Sequence, residues 1–316
     1  MTAGAQRAPR RRVDGVLLLD KPPGLSSNAA LQRAKWLYAA AKAGHTGTLD
    51  PLASGLLPLC FGDATKFAQA LLDAPKAYVA TLRFGVATTT GDAEGDIVAE
   101  MPVTFSREAL AAAATRFVGR IAQVPPRHAA LKYQGRNYYD YARAGIEIPR
   151  PAREVDIAAI EIVDWAPPTA VLRVACGKGT YIRVLAEDLA AAVGSCAHLT
   201  ALRRTATGPF LLDDAVTLDA LAAMAPAARD ALLLPVDAPL AGVARIEVDA
   251  PSALALAQGR RAAAAGAAAG RCRCYGPGGQ FLGLVEVEGG MLRALRLART
   301  DTPAAGAGAG GLTVES

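Results

Sequence analysis

The densest chemical signal in the chain is the run Gly44-His45-Thr46-Gly47-Thr48-Leu49-Asp50-Pro51-Leu52-Ala53-Ser54-Gly55-Leu56-Leu57-Pro58. Asp50 ends a glycine-bearing loop and leads into an apolar stretch, and Pro51 holds the residue before it out of helical geometry. A carboxylate beside an apolar wall is costly unless something keeps it ionised or gives it work as a base or nucleophile. An N-cap or Asx turn is the other reading of such an Asp-Pro step. A second signal is Gly177-Lys178-Gly179-Thr180-Tyr181-Ile182-Arg183 at a predicted strand-to-helix junction. Thr180 is suited to cap the helix, which puts Tyr181 and Arg183 in its first turn, with Glu187 at i,i+4 as an ordinary surface partner for Arg183. The third is Lys76-Ala77-Tyr78. Tyr78 falls on the apolar face of an alternating segment, where core packing is the plain reading.

Other templates for chemistry are empty. Cys272-x-Cys274 is one residue short of the usual zinc spacing and has no second pair. The three histidines, His45, His128 and His198, form no H-E-x-x-H pattern. Neither a G-x-S-x-G elbow nor a phosphate-cradling G-x-x-x-x-G-K-[ST] loop occurs. The expected chemistry is therefore one that needs no metal or other cofactor, such as hydrolysis or isomerisation.

The elements that must position these residues can be read from the patterning. A buried strand is expected over 13–19, ended by the Lys21-Pro22-Pro23-Gly24 turn, and Ser26, Ser27 and Asn28 are placed to cap an alanine-rich helix to about residue 42. Residues 76–86 alternate as a strand with Tyr78, Ala80, Leu82 and Phe84 on one face. A helix is predicted over 107–118, strands over 155–163 and 170–176, and helices over 181–193 and 218–223. After a composition shift near 235–243, short strand-like runs separated by Gly and Pro predict a small β-rich domain over about 244–300. The class is α+β with mixed sheets.

Composition sets the outer limits. The chain has 316 residues, 52% of them hydrophobic and 20% charged, enough to bury a sizeable core. No apolar stretch approaches the roughly 18 residues of a membrane span, and the apolar run at 16–19 is too short for a secretory signal. Five cysteines are no disulfide framework, so a reducing cytoplasm is expected. The formal charge of +5 is unevenly spread. Residues 1–12 carry four arginines and no acid, and read as a disordered basic arm; the Gly-Ala-rich segment 301–316 reads as a disordered tail. Residues 120–153 carry seven bases against Asp140 and Glu147, together with Tyr133, Tyr138, Tyr139 and Tyr141. Bases interleaved with aromatics suit a polyanion with unstacked bases, or a small tyrosine core under solvated arginines.

Together these segments resemble the TruB-type pseudouridine synthases. The 44–58 run is similar to that family's catalytic motif. Further resemblances follow in order: Leu19-Asp20-Lys21-Pro22-Pro23-Gly24-Leu25-Ser26-Ser27, Lys76-Ala77-Tyr78, Gly91-Asp92-Ala93-Glu94-Gly95, Gln123-Val124-Pro125-Pro126, residues 178–183 and Leu202-Arg203-Arg204. Residues 130–145 resemble the family's RNA-gripping insertion within a catalytic domain spanning 13–240. The segment after 244 is weakly similar to its PUA-like terminal domain. Ser54, Gly177 and Ala129 depart from the family pattern without touching a catalytic position.

The resemblance implies a catalytic domain built on a mixed, mainly antiparallel sheet with flanking helices. It implies isomerisation of uridine 55 in the T-loop of tRNA, after the base is flipped out. Asp50 would be the catalytic carboxylate, attacking C1′ or removing a proton from C2′, with Arg183 as its partner. Tyr78 would stack on the uracil and assist loss of the C5 proton. Tyr181 and Leu202 would line the base pocket, and His45 would fill space near extruded nucleotides. Lys21 and Pro22 would support the catalytic loop, with a phosphate contact as the alternative for Lys21. Asp92 would meet a base edge, and Lys132 would belong to the gripping insertion. The expected enzyme is a monomer that works on tRNA without a protein partner. Its rivals are a guide-RNA-dependent synthase, a non-catalytic RNA-binding or remodelling protein, and a glycoside or nucleoside hydrolase, for which a second catalytic carboxylate is wanting.

Overall fold

The computed structural model describes residues 10–264 and 266–299, which form two compact units divided between Pro239 and Leu240. Among the described residues no helix is long and apolar enough to cross a membrane. The arm expected over 1–12 lies outside the described residues up to residue 9, as does the tail over 301–316. Arg11 corrects the inner edge of that arm. Its backbone N–H donates to the Ala39 carbonyl at 2.7 Å, its Nε to the Tyr38 carbonyl at 2.9 Å, and its guanidinium pairs with Asp230. These partners are far away in sequence, so composition gave no sign of them.

In the first unit, β1 (Gly15–Lys21), β2 (Ala43–His45), β3 (Ser54–Phe61) and β4 (Lys76–Phe84) join six further strands in one sheet. Its order runs from the short strand Val216–Thr217 through β1, β3, Ala197–Thr207, β4, Thr169–Cys176 and Arg153–Ala166 to Gly119–Gln123. Pairing is antiparallel except where β1 meets Val216–Thr217 and β3 meets Ala197–Thr207. The alternation in β1 and β3 explains both layers. Leu17, Leu19, Leu57 and Leu59 face a core with Ala30, Leu31 and Ala34 of α1 (Ser27–Leu37), while Val16, Leu18, Leu56 and Cys60 face the other side. A further core packs Ala80, Leu82 and Phe84 of β4 against Leu185 and Leu189 of the helix Ile182–Ala192.

Capping chemistry fixes the start of α1, where the Ser26 hydroxyl accepts from the Ala29 N–H at 3.1 Å. The helix stops five residues short of expectation because Ala39, at φ 47, turns the chain into its bridge with Arg11. The helix over 107–118 likewise ends early, at Thr115. Among its described residues the second unit is a five-stranded sheet with one α-helix, Ala250–Ala257, for which the sequence reading holds no expectation. Its core holds Cys272 and Cys274 on one face beside Val285 and Leu292, so the i,i+2 spacing of these cysteines serves packing.

The candidate active site

Two strands, the loop ending in Asp50 and one helix terminus converge on the junction of two cores. Tyr78 on β4 and Leu202 on Ala197–Thr207 each pack against both clusters. Register places Arg204 opposite Tyr78 and Leu202 opposite Ala80, so the period-two alternation sends Leu202 and Arg204 to the same side. A cavity of about 350 Å³ opens there, at the small end of the ~300–1,000 Å³ typical of ligand sites. Its lining includes Asp50, Tyr78, Tyr181, Arg183, Leu202 and Arg204, with Ala129, Ala130 and Leu131 entering from the basic insertion.

Asp50 is held by its neighbours on both sides. The Ser27 hydroxyl, 2% exposed, accepts from the Leu49 N–H at 2.7 Å and donates to the Leu49 carbonyl at 2.9 Å. The Gly24 N–H donates to the Pro51 carbonyl at 2.8 Å, and the fully buried Lys21 ammonium donates to the carbonyls of Pro22 and Leu25 at 2.9 and 2.6 Å. Lys21 is therefore a brace for the turn and cannot reach a phosphate; burial pulls its pKa down to about 8. Half-buried Pro22 belongs to the same turn. No helix follows Asp50, which removes the N-cap reading.

The carboxylate instead meets Arg183, whose Nη2 lies 3.1 Å from Asp50 Oδ2. The Arg183 side chain is 6% exposed and that of Asp50 36%, so the acid alone of the pair faces the cavity mouth. Arg183 is fixed on its other sides as well. Its Nη1 donates to the Thr90 carbonyl at 2.9 Å, Nη2 also to the His128 carbonyl at 3.3 Å, and Nε stands 3.8 Å from Asp92 Oδ2. Burial pushes the Asp50 pKa above the usual carboxylate range, Arg183 opposes this, and Asp92 adds to it. The helix carrying Arg183 begins after Tyr181, not at Thr180, whose hydroxyl donates to the Gly177 carbonyl at 3.1 Å.

Five of the residues singled out by sequence, Asp50, Tyr78, Tyr181, Arg183 and Leu202, thus share one cavity. Asp92, expected at a base edge, lies outside the lining: it is 4% exposed, accepts from Thr90 Oγ1 and the Glu94 N–H, and stands behind Arg183, 3.8 Å from its Nε. His45 sits on β2 outside the lining, half-buried, with an Nδ1 that has no hydrogen-bond partner among the described residues. Burial and Arg204 lower its pKa, which favours the neutral ring. Lys132 is exposed on the hairpin next to Leu131. The insertion's aromatics are less available than their composition suggested. Tyr138 and Tyr141 are buried, Tyr133 packs on Tyr141, and Arg136 and Arg143 lie over the rings of Tyr141 and Tyr139. A small tyrosine core under arginines is what forms.

Two further side chains fix the backbone of this site. Arg204, 1% exposed, donates Nε to the Leu56 carbonyl at 2.7 Å and Nη2 to the Gly47 carbonyl at 3.2 Å, tying the catalytic loop to β3. Its same-side spacing from Leu202 was the available signal. Gln123, 2% exposed, brackets the Tyr181 backbone: its Oε1 accepts from the N–H at 3.0 Å and its Nε2 donates to the carbonyl at 3.4 Å. No clusters of three or more His, Cys, Asp or Glu suited to a metal ion occur among the described residues.

This architecture is shared with solved chains. A Cbf5-Nop10-Gar1 complex contains one with a TM-score of 0.69 at 24% identity, covering 94% of this chain and 91% of that one. The archaeal box H/ACA sRNP Nop10-Cbf5 complex gives 0.67 at 24%, covering 90% and 85%. These likenesses define the fold, a mixed sheet flanked by helices with a β-rich terminal domain. The sequence narrows the class. Residues 35–182 match the N-terminal domain of the TruB family pseudouridylate synthases, 183–241 a tRNA pseudouridylate synthase B C-terminal domain, and 244–298 the C-terminal region of pseudouridine synthase II TruB. Proteins named tRNA pseudouridine synthase B are similar over nearly their whole length. That of Thiobacillus denitrificans is 54% identical, over 92% of this chain and 98% of its own, and that of Cupriavidus pinatubonensis 55%, over 93% and 96%. The chain belongs to the TruB family of pseudouridine synthases.

Proposed function

We propose that this chain is a tRNA pseudouridine synthase that isomerises uridine 55 of the T-loop, acting as a monomer without a guide RNA or protein partner. The observation that carries the reading is the Asp50–Arg183 ion pair at the floor of a cavity walled by Tyr78, Tyr181 and Leu202. The reaction breaks the bond from C1′ to N1, turns the freed uracil, and joins C1′ to C5. The C5 proton leaves and N1 gains one, so the product is an isomer and no co-reactant is consumed. Attack on C1′ and proton removal from C2′ both require an ionised Asp50 shielded from water. Arg183 supplies the opposing charge that burial makes necessary.

Apolar and aromatic walls hold a loose base without fixing one orientation, which a reaction that rotates its intermediate requires. Burial raises the pKa of the Tyr78 phenol, so Tyr78 meets the base as a neutral ring suited to stacking. Whole-length similarity to proteins named tRNA pseudouridine synthase B supports tRNA as the substrate. The reading is tested by incubating an unmodified tRNA transcript with the purified chain alone, then mapping pseudouridine by carbodiimide-dependent primer-extension stops. A single new stop one nucleotide 3′ of position 55, which reports pseudouridine at 55, is expected. Stops elsewhere, or none without a guide RNA, would overturn the assignment.

A further inference from the structure

Two buried side chains outside the cavity lining grip the backbone on either side of the catalytic pair. Ser27, on α1, uses one hydroxyl both to donate to and to accept from Leu49, the residue before Asp50. Gln123, at the end of the edge strand Gly119–Gln123, uses one amide in the same two senses on Tyr181, two residues before Arg183. The Ser27 grip satisfies both the N–H and the carbonyl of Leu49, as a neighbouring strand does, at a point where the sheet provides none; the Gln123 grip satisfies the Tyr181 N–H and shares the Tyr181 carbonyl with the Leu185 N–H, 3.0 Å away. The Tyr181 grip also stands at the helix N-cap, where no side-chain cap is present. Ser27 and Gln123 reach the site from different elements, and neither is exposed enough to touch RNA.

We propose that Ser27 and Gln123 are positioning residues that together set the separation of Asp50 and Arg183, one fixing the acid's loop and the other the start of the arginine's helix. This rests on the function proposed above. A dual-purpose hydroxyl or amide fixes both position and rotation of the peptide it holds, and a displacement of about 1 Å at a reacting group costs on the order of 10²-fold in rate. With either grip removed, the substrate still enters the same cavity, but the carboxylate meets it with a looser counter-ion.

The groups facing Asp50 are Arg183, Asp92 and Lys21, with Glu94, Tyr78 and Tyr181 close by. Of these, Arg183 is the principal influence that favours the ionised acid. Loosening it leaves burial less opposed, so the Asp50 pKa rises further and the acid limb of the rate moves to higher pH.

The test measures single-turnover tritium release from C5-labelled tRNA between pH 5 and 9, with tRNA affinity measured in parallel. It compares the wild type with Ser27→Ala, Gln123→Leu, and the conservative Ser27→Thr and Gln123→Glu. The expected result is a 10-fold or greater fall in rate at neutral pH for Ala and Leu, affinity within twofold of wild type, and an acid limb displaced upward. Ser27→Thr, which keeps the hydroxyl, restores rate and limb. Gln123→Glu, which keeps the acceptor for the Tyr181 N–H, falls between Leu and wild type. A lowered rate with an unmoved limb, or a loss confined to affinity, overturns the proposal; so does wild-type behaviour of both Ala and Leu. Should Ala or Leu fail to fold, a conservative variant that folds yet loses rate without moving the limb is equally contrary. Wild-type protein that releases no tritium would instead overturn the functional reading.

Discussion

At the scale of single residues, Asp50 is placed under opposed influences whose balance has a measurable sign. Burial raises its pKa and Arg183 lowers it, with the net direction upward. The ionised form is the working one, so activity is full above the Asp50 pKa and is lost as pH falls through it. The midpoint should lie above that of an ordinary exposed aspartate, about 3.9; a single-turnover pH profile measures it, and a midpoint at or below that value would contradict the desolvated site. Arg183 serves acceptors in several directions at once: Asp50, Asp92 and the Thr90 and His128 carbonyls. A lysine offers one ammonium in place of a planar fork, so Arg183→Lys should lower the single-turnover rate by about 10²-fold or more despite the conserved charge. A rate within a few-fold of wild type would show that charge alone is used.

Among the elements, the contact between β3 and the strand Ala197–Thr207 is the most demanding. Gly55 has φ +99, and a Cβ there would stand 2.3 Å from the Arg204 carbonyl oxygen and 2.7 Å from its nitrogen. Gly55→Ala should therefore cost about 2 kcal/mol or more, read by denaturant unfolding, and should disturb the Arg204 bond to Gly47 beside the site. Unchanged stability would mean that the strands part easily. The legibility of the sequence divides along the same line. Local signals, such as the Ser26 cap, the alternation through Tyr78, and the loop ending in Asp50, are readable because they are set by neighbours within one or two turns; the strand Ala197–Thr207 that carries Leu202 is not. The partners of Arg183, the buried state of Lys21 and Asp92, and the anchoring of Arg11 were not. Each depends on segments dozens to hundreds of residues away, and no periodicity reports such a meeting. Asp92 shows the cost: its motif was visible, but only the fold reveals that it faces Arg183.

On the scale of the whole molecule, the basic insertion over 120–153 joins binding to chemistry. It lends Ala129, Ala130 and Leu131 to the cavity wall and the His128 carbonyl to Arg183, while Lys132, Arg136 and Arg143 face solvent. If these bases meet phosphates, tRNA affinity should fall steeply with salt, the logarithm of the association constant declining linearly with the logarithm of salt concentration. A flat dependence would assign affinity to uncharged contacts. Amide hydrogen exchange across 125–150 should slow when a T-arm stem-loop binds, and no added protection would remove the insertion from the interface. The most direct test of the account is tritium release from C5-labelled uridine in a T-arm stem-loop, comparing wild type with Asp50→Asn while binding is followed in parallel. Release by the wild type alone is expected, with both proteins binding the RNA. Comparable release from both would remove Asp50 from the chemistry and contradict it.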